Sequence, residues 1–136
     1  MSHGNTIVRE FVERLRKAPG IAVKYSSVSR NVVDISGRVN CLAYVKGRGE
    51  APYRWGVTAN VISRLRRQSR RWFVVLLYES SDTGYFLTPK QVGHNITHVW
   101  PLGKDGDYKP SSGTYLAAST RFFSFKAFLA EVRHAT

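Results

Sequence analysis

The stretch that decides the fold is VVDISGRVNCLAYVKGRGEAPYRWGVTANVISRLRRQSRRWFVVLLY, residues 32–78. It closes on WFVVLLY, residues 72–78, which leaves no side for water. Such a run reads as the central strand of a sheet covered on both faces. Immediately before it lies a helix expected over 58–70, with Thr58 as N-cap and Val61, Ile62 and Leu65 as its inward side. A strand entered from a helix in this way implies a parallel crossover. Before the helix come two short apolar runs, 32–36 and 39–46, joined by a tight turn at Gly37-Arg38. With a further strand expected over 21–26, these three runs are spaced for an antiparallel meander.

The rest of the chain frames this stretch. Residues 6–17 read as a helix capped by Asn5 or Thr6, with Ile7, Val8, Phe11, Val12 and Leu15 as one stripe and Pro19-Gly20 as the stop. Beyond 78 the expectations are a turn over 80–84, a strand over 85–88, a short helical turn opened by Pro89 and a small strand over 96–100. A mobile polar loop over 101–113 follows, then a weak segment over 115–118. The last helix is capped by Ser124, and its apolar face is Phe125, Phe128, Leu129 and Val132. The fold class is α/β (α+β), a mixed central sheet flanked by helices. One domain spans 1–136, with its core over 6–88 and an extension over 89–136.

The chain has 136 residues, 21 Lys+Arg against 9 Asp+Glu, and a formal net charge of +12. That balance draws polyphosphates and anionic surfaces, nucleic acid before membranes. No apolar run reaches the roughly 18–20 residues that cross a bilayer. Cys41 is the sole cysteine and MSHGNTIVRE has no apolar signal core, so a reducing, cytoplasmic setting is expected. Between 51 and 78 stand six arginines and no acid. A solvated helix ordinarily mixes signs to gain i,i+4 pairs, so this face repels itself until an anion neutralises it. Arg54, Arg64, Arg67 and Arg71 are the phosphate ligands expected from this, since a planar guanidinium donates two parallel hydrogen bonds. Tyr53 and Trp55 offer stacking surface, with Trp55 equally readable as a core-packed entry to the helix.

The order helix, three strands, helix, strand, strand, with Asp34 at the start of the second strand and Lys46 ending the third, resembles the PD-(D/E)xK nuclease-like superfamily. Restriction endonucleases and archaeal Holliday-junction resolvases belong to it. The resemblance covers residues 6–88 and implies an αβββαβ core. It also implies a Mg²⁺-dependent DNA endonuclease acting on double-stranded or branched DNA. Asp34 takes the family's Asp position and holds the metal; Lys46, in Tyr44-Val45-Lys46, takes the Lys position and serves charge. Tyr44 stands where the family has Glu or Asp, so the second metal ligand falls to Glu50, Glu10 or the backbone carbonyl of Val45. Ser27 and Ser29 sit where resolvase-like members keep a hydroxyl-rich loop near substrate. The competing class is a non-catalytic module that kept the fold and binds nucleic acid or assembles with a partner.

Other signals carry less. His94 and His98 have zinc spacing only on a helix, and Gly93 and Ile96-Thr97 lean away from one. The run Phe122, Phe123, Phe125, Phe128 reads as core, or as a patch for homodimer formation.

Overall fold

The computed structural model describes residues 3–111 and 119–135. In chain order its elements are α1 (His3–Lys17), β1 (Ile21–Tyr25), β2 (Val32–Gly37), β3 (Cys41–Arg48), β4 (Val57–Thr58), α2 (Ala59–Arg66), β5 (Trp72–Tyr78), β6 (Gly84–Leu87), α3 (Pro89–His98), β7 (Asp107–Tyr108), β8 (Thr120–Phe122) and α4 (Phe125–Ala135). Six strands form one mixed sheet in the order β1-β2-β3-β5-β6-β8, and β4 pairs with β7 apart from it. The meander β1-β2-β3 is antiparallel, β3 and β5 run parallel, and the β4–α2 segment makes the crossover, as the hydrophobic pattern implies.

β5 is buried at every residue. Its odd-numbered side chains Phe73, Val75 and Leu77 face the apolar stripe of α1 and the phenylalanines of α4. Its even-numbered ones, Val74, Leu76 and Tyr78, face Val61, Ile62 and Leu65 of α2 and Val92 of α3. The period of two along the strand thus splits one apolar run into two cores. In the first, Phe11 meets Phe128 edge-on at 4.9 Å and Phe125 at 5.6 Å. Phe122 is buried there too, and of the phenylalanine run only Phe123 is exposed, with the Arg121 guanidinium over its ring. In the second core Trp55 is 2% exposed; its indole N–H donates to the Leu77 carbonyl at 2.8 Å. Trp55 is therefore a wall of the core, which bears out the second of its two expected readings and removes it as a stacking surface.

Four local expectations change. α2 ends at Arg66, short of residue 70, because after Leu65 no apolar side chain remains to hold another turn against the sheet. Residues 96–98, expected to begin a strand, lie in α3. The Thr88/Gln91 capping box and Pro89 at the first turn start that helix, and Val92 and Asn95 are buried one turn apart. The segment after Pro101 is pinned through Ser111: Trp55 N–H donates to Pro110 O at 3.0 Å, and Ala59 N–H to Gly106 O at 3.0 Å. β3 starts at Cys41 because Gly37, at φ +105°, and Asn40 close the turn by hydrogen-bonding each other. The weak segment over 115–118 lies outside the described residues.

Burial pushes the Cys41 thiol up to about 12, against a smaller opposing pull from Arg70. Cys41 should therefore resist an aromatic disulfide reagent at pH 8 and react only as denaturant unfolds the chain. Phe11→Ala should cost about 3–5 kcal/mol, a large share of the roughly 5–15 kcal/mol available to a domain. Urea denaturation reads this as a lowered midpoint.

Candidate functional site

β3 is buried from Cys41 to Val45 and then emerges. The face that carries Leu42 and Tyr44 continues, at period two, into Lys46 and Arg48. At this end of the strand a cavity of about 420 Å³ opens, lined by Lys46, Arg48, Glu50 and Arg54 together with Asn5 and Asn31. Several backbone contacts fix its shape. Val45 N–H donates to Asn31 O at 3.0 Å, and the Asn31 amide donates to Val45 O at 3.3 Å. Glu79 N–H donates to Arg48 O at 2.9 Å. A Cβ on Gly47 would lie 2.6 Å from Gly4 O, so only glycine lets the first turn of α1 settle on β3 beside the cavity. That turn carries no acid. Buried Trp55 sets Arg54 at the rim.

Lys46 is half-buried, and burial depresses its pKa below the ordinary lysine value; Asp107 opposes that shift and Arg30 adds to it. Asp107 was not singled out by the sequence. It sits on β7 opposite Thr58, with a carboxylate oxygen packed on Gly56. The Tyr44 hydroxyl accepts from Thr58 N–H at 3.1 Å, and burial raises the phenol pKa, so Tyr44 stays neutral.

Asp34 does not join this cavity. Its register partner is Leu42, four positions before Lys46 on β3, which separates the two by about 13 Å along the strand. Its carboxylate is ion-paired with Arg70, which also donates to Ile35 O at 2.8 Å and Cys41 O at 3.3 Å. Asp34 and Arg70 thus act as a clamp that ties the chain after α2 to the β2–β3 hairpin. Arg70, one of the six arginines between 51 and 78, is absorbed by it. Glu10 lies elsewhere: it lines a hollow with Arg14 and Asp82. Of the acids expected near Lys46, Glu50 alone lines its cavity.

Magnesium was implied by the resemblance, and the residues present do not fit it. Asp34 is spoken for by Arg70, Tyr44 is a buried neutral phenol, and three cations crowd the cavity instead. Among the described residues no group of three or more His, Cys, Asp or Glu side chains converges. His94 and His98 do share a helix, contrary to expectation, with rings 5.2 Å apart.

The arginines of α2 and of the chain just after it lie at the surface. Arg64, Arg66, Arg67 and Arg71 are exposed, and Arg64 donates to Val28 O at 3.2 Å. Arg64 and Arg67 line a groove of about 250 Å³ with Ser27, Val28 and Gln68. Ser29 is not among its lining residues; its carbonyl instead accepts from Val32 N–H at 3.1 Å. No helix among the described residues is long and apolar enough to cross a membrane. No protein-family model matches the chain, and no curated protein is significantly similar to it.

If Asp34 is a clamp, Asp34→Ala should lower stability by about 1–3 kcal/mol, the lower end being expected for a partly solvated pair. Asp34→Asn, which still accepts from Arg70, should lose less. Denaturation midpoints of the two variants decide this.

Proposed function

We propose that this chain is a nucleic-acid-binding module that grips the sugar–phosphate backbone and does not cut it. It keeps the strand–helix order that resembles the PD-(D/E)xK nucleases, with cations where that chemistry needs carboxylates. The observation that carries the reading is the cavity lined by Lys46, Arg48 and Arg54, whose single lining carboxylate is Glu50. Three cations around one polar hollow repel one another, and a phosphate relieves that repulsion while accepting charge-assisted hydrogen bonds. Lys46 is the most responsive of them. Its charge is held at a cost in a half-desolvated place, and an anion beside it removes that cost. The exposed residues Arg64 and Arg67, which line a groove of their own, extend the footprint, so several phosphates along one backbone are met at once. The net charge of +12 adds long-range attraction.

Binding to labelled DNA and RNA should weaken steeply with salt, with a log–log slope of about −0.9 per duplex phosphate contact. Lys46→Ala and Arg54→Ala should each lower affinity for all sequences and flatten that slope by about 1. Asp34→Ala, at temperatures where it stays folded, should bind as wild type does. Incubation with Mg²⁺ or Mn²⁺ should leave plasmid and branched DNA intact. Salt-independent binding, or cleavage abolished by Asp34→Ala, overturns the proposal.

The pH dependence has a definite sign. Lys46 holds phosphate in its protonated form, and its pKa in the free protein lies below the ordinary 10.5. Affinity should therefore fall as pH rises, beginning below the ordinary lysine value. The difference between wild type and Lys46→Ala should vanish over that range in anisotropy titrations.

A further inference from the structure

β1 alternates between the α1 side and solvent. Ile21 and Val23 pack against the core beneath α1, and Tyr25 continues that side one step beyond it. Tyr25 is 48% exposed, one of the few large hydrophobic side chains of the described residues that stays open. Its ring has Arg16 at 5.9 Å. It lines a hollow of about 570 Å³ with Arg9, Arg30, Asn5, Val8 and Asn31, and no Asp or Glu is among these residues. Asn5, Val8 and Asn31 also line the Lys46 cavity. The two hollows are therefore one surface that turns around the end of the sheet: cations at Lys46, Arg48 and Arg54, then an aromatic ring flanked by Arg9 and Arg30.

Building on the backbone-binding reading, we propose that the second hollow takes an unpaired nucleobase stacked on Tyr25, with its flanking phosphates held by Arg30 and Arg9 on one side and the Lys46 cavity on the other. A duplex keeps its bases inside and offers an aromatic ring nothing to stack on. A single strand or an overhang offers a π-face at every residue, and stacking of this kind is tolerant of sequence. The preferred ligand is thus a nucleic acid with an unpaired segment, and the duplex is the weaker one.

The test is anisotropy with four ligands: a short single strand, a blunt duplex, the same duplex with a single-stranded overhang, and linear polyphosphate as competitor. The single strand and the overhang should bind more tightly than the blunt duplex. Tyr25→Ala should weaken the single strand roughly tenfold and leave the blunt duplex within about twofold, and Tyr25→Phe should behave as wild type. A second measurement needs no variant: a single strand carrying 5-iodouracil should crosslink to Tyr25 on irradiation, as read by peptide mass spectrometry. Equal affinity for duplex and single strand, an equal loss for all ligands in Tyr25→Ala, or crosslinks only at other residues overturns the stacking site while leaving backbone binding in place. Wild-type protein that binds none of the four, polyphosphate included, overturns the functional reading beneath it.

Discussion

Everything in this molecule follows from the parallel pairing of β3 with β5. Seven register pairs, from Leu42↔Trp72 to Arg48↔Tyr78, lock the two strands so that they end together. A parallel pair cannot be closed by a hairpin. The chain must leave one face and return, and β4 and α2 are that return. Once α2 covers one face, α1 and α4 must cover the other, because β5 has no residue that tolerates water. The free end of the pair is where half-buried Lys46 emerges from the core. In open α/β sheets the crevice beyond the carboxyl ends of parallel strands is the general location of ligands. Here Lys46 and Arg48 stand there.

The cations divide by what their surroundings ask of them. Arg70 is consumed by Asp34 and two carbonyls, and Arg14 by Asp82. Arg121 is held over Tyr78, with two hydrogen bonds of 2.9 and 2.7 Å to its hydroxyl. These side chains organise the fold. Lys46, Arg54, Arg64 and Arg67 instead line open hollows. The total charge alone does not separate the two groups; burial and partner do.

Much of this was legible in the sequence. The period-two runs, the Thr58 start of α2 and the doubly apolar β5 gave five of the six strands and the crossover, because each is a local pattern; the edge strand β8 was not expected. The cavity was legible only in part. Arg48 follows Lys46 at strand period and was within reach of the same reasoning. Asn31 and Asn5 arrive from other elements, as does Asp107, whose charge acts on Lys46 from outside the lining, and no spacing announces them. The pairing of Asp34 with Arg70 was hidden for another reason. It depends on α2 stopping at Arg66, and a run rich in arginine looks helical to propensity long after it has run out of apolar face. Trp55 was ambiguous for want of one fact, the Leu77 carbonyl that takes its indole proton. The start of α3 at Pro89 was expected, but its length was missed because Gly93 and the β-branched Ile96 and Thr97 outweighed a capping box that tertiary packing rewards.

The cavity walls come from the start of α1, Asn31 before β2, the end of β3 and the loop before β4, so no single segment of the chain contains them. A guest held there meets walls from separate segments, and none of them keeps its place when the sheet comes apart. Occupancy is therefore tied to the intact native state, and each bound molecule shifts the folding equilibrium by mass action. On the proposed reading, a chain whose own positive charges push it apart would gain cohesion from a bound polyanion.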